Sequence, residues 1–255
     1  MKMIAFLLVV LFPFLAFSYP VVLDNIPAYN QGQNPWCTFV SEASLFGYWD
    51  AHGYSNLFAG SAPNTFLTSN IWPEVLQMVQ LSMNNNYNFA ANIVDFAGTK
   101  GYALRTTEYY FALLSDPYIP SVYDIMVQEK PGTYSSWIRD LTLTSPPYTF
   151  DMISEQIDKG FPLIYGSNQN DPIAYHAMPV FGYDVRSDGN YIAYYTNWYE
   201  SETVLWKPFN PNWISSLIMV EPITQPGQSV PEPATMLLLG SGLIGLWGFR
   251  KKFKR

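Results

Sequence analysis

The feature that most limits how this chain can fold is its single cysteine, Cys37, among 255 residues. One thiol cannot form an internal disulfide, and one sulfur is too few for the usual cysteine-based metal sites. The fold must therefore be held by packing of the 49% of residues that are hydrophobic. Cys37 itself is left with two roles, either a buried apolar side chain or a nucleophile.

Both ends of the chain carry features of export. Residues 1–18 join Lys2 to an apolar run and end in small residues, which predicts a secretory signal peptide; an uncleaved anchor is the alternative. At the other end, the uncharged residues 234–249 precede the basic residues 250–255. Basic residues at both ends predict that both termini are cytoplasmic and that the body lies outside. The uncharged segment is short for a bilayer span, which takes about 20 residues.

The C-terminal segment has three parts in order: Val-Pro-Glu-Pro at residues 230–233, the apolar stretch and the basic end. This arrangement resembles the PEP-CTERM sorting signal of Gram-negative bacteria. The resemblance implies a transient membrane anchor, removal of the tail by an exosortase, and release to an exopolysaccharide-rich cell surface or the medium. A GxGxxG match at residues 240–245 lies inside the apolar stretch, which favours small residues of a membrane helix over a nucleotide site.

The body between the two ends is strongly acidic. Residues 19–230 hold 7 of the 13 Lys and Arg and 19 of the 20 Asp and Glu, so the formal net charge there is −12. Such a charge disfavours nucleic acid as a partner. The length suffices for one domain with its own core, which we place at residues 19–225.

The periodicity of apolar residues changes along the body. Its first half has helical spacing at residues 36–49, after Pro73 and at residues 87–97, whereas residues 105–148 have no clear period and are predicted to form loops and short helices. An amphipathic helix at residues 150–159 then precedes strand-like runs at residues 162–165, 176–183, 191–196, 203–206 and 217–220. Helices followed by a strand meander predict an α+β fold.

The predicted first helix places Cys37 where a thiolate is favoured. Pro35 precedes the helical run, so Cys37 falls in the first turn, where the helix dipole and unpaired N–H groups favour negative charge. A base must come from one of two histidines. His52 lies fifteen residues along the same helix, about 22 Å away, and is predicted to cap the helix end instead. His176, at the start of a strand, is therefore the candidate base.

Two amides complete a candidate site. If residues 184–189 form the hairpin loop, Tyr183 pairs with Asn190 and Asn197 lies opposite His176, where it can orient the imidazole ring. If the turn is tighter, Asn197 is displaced along the strand but stays on the same face of the sheet. Gln31, six residues before Cys37, can hold an oxyanion together with the Cys37 N–H. The rivals, Gln33 for the oxyanion and Asp184 for the orienting group, have the wrong spacing. No grouped His, Asp or Glu pattern predicts a metal, and no cofactor is expected.

These residues resemble a known family. The matching motifs are Gln-Gly-Gln-Asn-Pro-Trp-Cys at 31–37, Gly-Tyr-Trp at 47–49, Gly-Phe-Pro-Leu-Ile at 160–164, His-Ala-Met-Pro-Val-Phe-Gly-Tyr-Asp at 176–184, and Asn-Trp at 197–198. They resemble papain-like cysteine peptidases of the branch related to bacteriocin-leader peptidases. The resemblance implies Cys37 as nucleophile, His176 as base and acid, Asn197 as orienting group and Gln31 in the oxyanion hole.

The chain departs from the family pattern at four positions. Thr and Phe follow Cys37 where the family has a smaller pair, and Asn197 stands where this branch often has aspartate. Pro179 removes one ladder hydrogen bond, which predicts that its strand is at an edge or bulged.

The leading hypothesis is an exported, surface-sorted cysteine peptidase acting on a peptide or protein. An acyl transferase or amidase using the same thiol is a second hypothesis. A non-catalytic protein bound to an exopolysaccharide matrix is the third. For Cys37 and His176 taken singly, the competing interpretations are an inert buried thiol and a core histidine.

Overall fold

The computed structural model describes residues 19–58, 72–86, 88–112, 121–133, 136–198 and 203–223. The predicted signal peptide, residues 1–18, and the sorting tail, residues 230–255 with its apolar stretch 234–249, lie outside the described residues. Among the helices that are described, none is long and apolar enough to cross a membrane. The extent of the domain, residues 19–225, stays a prediction.

The four helices of the described residues follow the sequence periodicity. They are α1 (Cys37–Ala51), α2 (Trp72–Asn84), α3 (Phe89–Thr99) and α4 (Phe150–Asp158). Side-chain caps fix two of the starts, because Asn88 accepts a hydrogen bond from the Ala91 N–H and Thr149 accepts one from the Met152 N–H. Helices predicted at these four places are confirmed, with Cys37 as the first residue of α1.

The remaining elements form one antiparallel sheet. Its strands are β1 (Val21–Val22), β2 (Leu104–Ala112), β3 (Val122–Gln128), β4 (Ser136–Asp140), β5 (Leu163–Ser167), β6 (Ala177–Arg186), β7 (Gly189–Tyr194), β8 (Leu205–Pro208) and β9 (Ile214–Pro222). Their order is β4-β3-β2-β9-β5-β6-β7-β8, and β1 pairs with β6. The second half forms the predicted meander, and β9 then inserts between β2 and β5. The predicted α+β fold class is confirmed.

The prediction of loops and short helices for residues 105–148 is wrong. That region contributes β2, β3 and β4, paired in sequence as an antiparallel meander. Burial does not alternate regularly there. In β2 the three central residues Thr107, Glu108 and Tyr109 are all of intermediate burial, and in β4 every residue from Ser136 to Arg139 is exposed. Pairing with β9, more than a hundred residues later, makes β2 an internal strand.

The sheet is covered on both faces by different helices. On one face, Ile164 and Ile218 join a core cluster with α1, α2 and α3. On the other, Leu163 and Leu217 join a second cluster with Ile153 of α4. Alternate residues of β5 and β9 thus serve opposite cores, as the two-residue period of a strand requires. The beginning of α1 is held against the beginning of β6, because the Ser41 hydroxyl donates a hydrogen bond to the Ala177 carbonyl.

Candidate active site

Cys37 stands at the N-terminus of α1, as the sequence predicts. Its side chain is partly exposed and packs against the first core cluster. The first turn of α1 contains no acidic side chain. No carboxylate of that turn therefore opposes the positive end of the helix dipole.

His176 is buried immediately before β6, with 5% of its surface exposed. Its Nε2 forms a hydrogen bond with the carbonyl oxygen of Thr196. A carbonyl only accepts, so Nε2 carries the hydrogen and Nδ1 is the atom able to take up a proton. The backbone is fixed as well, because the His176 N–H donates to Ser167 Oγ at 2.8 Å and the Ser167 N–H donates to the His176 carbonyl at 2.8 Å.

The surroundings of His176 favour the neutral ring. Burial lowers the pKa of His176 below its ordinary value of 6.5 more strongly than the bond to the Thr196 carbonyl raises it. The charge of Lys207 lowers this pKa further, and that of Asp171 raises it. The ring of Trp198 packs on the imidazole, with the ring centroids 4.3 Å apart. At neutral pH the imidazole is therefore an uncharged base.

The predicted hydrogen bond between Asn197 and His176 is not formed in the structure. Asn197 is buried, and its Nδ2 donates instead to Ser41 Oγ at 3.2 Å. Its Oδ1 has no hydrogen-bond partner among the described residues. The group that orients His176 is the backbone carbonyl of Thr196, one residue earlier in the chain.

The register of the β6–β7 hairpin explains this difference. Tyr183 pairs with Ile192, not with Asn190 as predicted, and a bulge shifts the register between Val180 and Gly182. The segment after β7 is therefore displaced relative to His176, which brings the Thr196 carbonyl to the ring. Pro179 predicted a strand that is either bulged or at the edge of the sheet. The bulge is confirmed, and the edge position is wrong because β6 lies between β5 and β7.

Gln31 is buried beside this segment, and the rival Gln33 is exposed. The Gln31 N–H donates to the Asn197 carbonyl at 2.8 Å. The side-chain Oε1 of Gln31 is buried without a hydrogen-bond partner in the described part of the chain. Gly32 follows with a φ of +63°, a left-handed turn that glycine makes at little cost.

One serine joins the segments that carry the site. Ser41 lies one helical turn after Cys37, on the same side of α1. Its hydroxyl donates to the Ala177 carbonyl at 3.1 Å and accepts from Asn197 Nδ2. The beginning of α1, the beginning of β6 and the segment after β7 are thereby linked, and the Gln31 loop is linked to them through the Asn197 carbonyl.

Ser41 and the Thr196 carbonyl were not found from the sequence. The helical period gives a signal for Ser41, since a polar residue four positions after the candidate nucleophile lies on its face of the helix. The carbonyl gives none, because every residue has one and only the hairpin register selects it.

The rival candidates for the base and for the orienting group lie away from His176. His52 is the C-cap of α1, where its Nδ1–H donates to the Tyr48 carbonyl at 2.7 Å and its Nε2 lies 3.4 Å from Asp24. The predicted helix-end role of His52 is thus confirmed. Asp184 forms an ion pair with Arg186. Among the described residues, no cluster of three or more His, Cys, Asp or Glu side chains has a geometry that could hold a metal ion.

The fold and this site define a class. An α+β chain in which a helix-opening thiol faces an antiparallel sheet with a histidine at a strand start has the papain-like fold. Within that class the chain belongs to the Peptidase_C39 like family, whose profile matches residues 23–215. The profile of the PEP-CTERM protein-sorting motif matches residues 229–252. No curated protein matched the chain.

Both family resemblances inferred from the sequence are confirmed by these matches. The PEP-CTERM motif implies export, recognition by an exosortase and sorting to the cell surface. The chain is therefore an exported, sorted protein with a cysteine-peptidase-like domain.

Proposed function

We propose that the domain is an active cysteine peptidase, with Cys37 as nucleophile, His176 as general base and acid, Gln31 as oxyanion donor and Asn197 as a positioning residue. The observation that carries the proposal is the buried imidazole of His176. Its Nε2–H is engaged by a backbone carbonyl, and its strand is bonded through Ser41 to the helix that Cys37 opens. The Gln31 loop is joined to the same region through the Asn197 carbonyl.

The proposed reaction has two stages, acylation of the thiol and its release by water. Nδ1 of His176 takes the thiol proton as the sulfur attacks the peptide carbonyl carbon. The negative charge that develops on the carbonyl oxygen is held by the side-chain N–H of Gln31 and the backbone N–H of Cys37, each worth about 3 kcal/mol. The imidazolium gives its proton to the leaving amine, the C–N bond breaks, and a thioester remains. A water molecule, deprotonated by His176, then releases the acid and restores the thiol.

The proposed role of Asn197 differs from the orientation of His176 that the sequence predicted. Its backbone carbonyl fixes the Gln31 loop, and its side chain bonds to Ser41 on α1. Loss of this amide would let the oxyanion donor and the nucleophile move relative to each other. A displacement of about 1 Å in such a site can reduce the rate a hundredfold.

The first test compares the two histidines in the full chain. Alkylation of Cys37 by iodoacetamide, followed by mass spectrometry, should be slowed about a hundredfold or more by His176→Ala. His52→Ala is the matched control and should leave the rate unchanged, since His52 lies at the other end of α1. Equal alkylation rates in the wild type and His176→Ala would refute the assignment.

A peptide library tests hydrolysis directly. Cleavage that is detected by mass spectrometry with the wild type and absent with Cys37→Ala would support a peptidase. An added amine that is incorporated into the products would show that the thioester is used for acyl transfer.

The sorting motif also suggests where the enzyme acts. We propose that an exosortase removes the tail and that the body then remains at the surface, in contact with an exopolysaccharide matrix. Cell fractionation with antibodies to the body and the tail should find the body without its tail outside the inner membrane.

A further inference from the structure

A cleft of about 740 Å³ opens next to the chain segment that carries His176. One wall is the segment after β5, Ser167 to Asn170, and another is Tyr175, the residue before His176. The end of β2 and the loop at residues 144–146 close the opposite side. The same Ser167 that lines the cleft is hydrogen bonded to the His176 backbone, so the cleft and the candidate base share a wall.

The loop that forms this wall is anchored by a buried ion pair. Asp171, at the middle of the loop, accepts hydrogen bonds from the Tyr165 hydroxyl at 2.9 Å and the Ile173 N–H at 2.7 Å. Its Oδ2 also pairs with the ammonium of Lys207, which lies over the ring of Tyr165 at 4.0 Å from the centroid. Burying two charges is costly unless every bond is satisfied. The wall of the cleft is therefore fixed in advance of any ligand.

Tyr175 has an unusual backbone conformation. Its φ is +55°, in the left-handed region, where a bulky residue is an outlier. Its side chain is 75% exposed, and its hydroxyl donates to the side-chain oxygen of Gln169 at 3.1 Å. Such conformations cost about 1–3 kcal/mol and cluster where ligands bind. Here the strained backbone of Tyr175 places its aromatic ring at the mouth of the cleft, one residue from His176.

The side chains that line the cleft select against charge. None of its described lining residues is Asp, Glu, His, Lys or Arg. Hydroxyls and amides predominate, among them Thr144, Ser145, Asn168, Gln169 and Asn170. This is unusual in a body of net charge −12. A charged side chain entering the cleft would lose hydration without gaining an opposite charge. An uncharged polar one would exchange water for amide and hydroxyl partners.

We propose that this cleft is a substrate subsite that binds an uncharged, hydrogen-bonding segment of the peptide, with Tyr175 as its stacking surface. The proposal rests on the peptidase function proposed above and names the class of its substrate. Selectivity for serine, threonine, asparagine, glutamine and glycine over lysine and glutamate follows from the lining.

Binding is measured on the full chain carrying Cys37→Ala, so that turnover does not interfere. The probes are two fluorescein-labelled decapeptide libraries, one built from those five uncharged residues and one in which lysine and glutamate replace half of them. Fluorescence anisotropy should show preferential binding of the uncharged library. Tyr175→Gly should weaken that binding about tenfold. Because glycine adopts a positive φ without strain, this variant should not lose stability.

Two further variants sharpen the test. Trp137→Ala removes another exposed aromatic ring, on β4, that does not line this cleft, and should leave binding unchanged. Asn170→Asp places a charge in the cleft and should improve binding of lysine-containing peptides about threefold.

Equal affinity for both libraries, or equal effects of Tyr175→Gly and Trp137→Ala, would overturn the proposal. Stronger binding of cellohexaose than of either library would overturn the peptide assignment. Because binding is read without hydrolysis, an inactive Cys37 would not affect these results. Binding of neither library would also overturn the subsite proposal, and the hydrolysis test of the wild type would still decide the proposed function.

Discussion

Replacing Glu108 by glutamine should change how the stability of this protein depends on pH. Glu108 lies on β2, near the fully buried Glu42 of α1. One oxygen of Glu42 accepts a hydrogen bond from Asn92 Nδ2 at 2.7 Å, and the other has no partner among the described residues. Burial raises the pKa of Glu108 from 4.5 to about 7 and raises that of Glu42, to which the Glu108 charge also contributes.

The sign of the effect follows from these raised pKa values. The folded protein keeps a proton on Glu108 up to about pH 7, whereas the unfolded chain loses it near pH 4.5. Between these values the folded state binds more protons, so the free energy of unfolding falls as the pH rises. A rise in pKa from 4.5 to about 7 corresponds to about 3 kcal/mol. Partial contact of the carboxyl with solvent reduces our expectation to about 2 kcal/mol.

Urea unfolding from about pH 4 to about pH 8 measures this difference. The free energy of unfolding of the wild type should fall over that range by about 2 kcal/mol more than that of Glu108→Gln. Glu155→Gln, at an exposed position on α4, is the control for a change in charge and should behave as the wild type. Parallel pH profiles for the wild type and Glu108→Gln would refute the reasoning.

Two further predictions concern the packing and hydrogen bonding of α1. Ser41→Ala leaves the buried carbonyl of Ala177 and the amide of Asn197 without this hydroxyl, so it should cost about 1–3 kcal/mol in urea unfolding and slow Cys37 alkylation. Ser44→Ala, whose hydroxyl bonds within α1, should have a smaller effect on unfolding and none on alkylation. Gly47→Ala should destabilise the fold by about 1–3 kcal/mol, because an added Cβ would lie 2.6 Å from Pro27; an unchanged unfolding midpoint would contradict this.

Local signals in the sequence located most elements but not the strands of residues 105–148. Helices such as α1 and α4 repeat their apolar residues every three to four positions within a single segment, so the pattern is complete in the sequence. The strands β2 to β4 are defined by partners, and β2 owes its place inside the sheet to β9. An exposed edge such as β4 has no buried face to impose alternation. Such strands become visible only when the pairing is known.

The sequence by itself determined the candidate residues, namely one thiol opening a helix, one histidine at a strand start and a glutamine before the thiol. It also determined the sorting motif of the tail. These depend on residue identity and short spacing, which the linear chain contains in full. Only the tertiary structure decided which group orients His176. A bulge in β6 selects the Thr196 carbonyl and directs Asn197 to Ser41. That choice depends on a shift of strand register, which is fixed only when β6 pairs with β7.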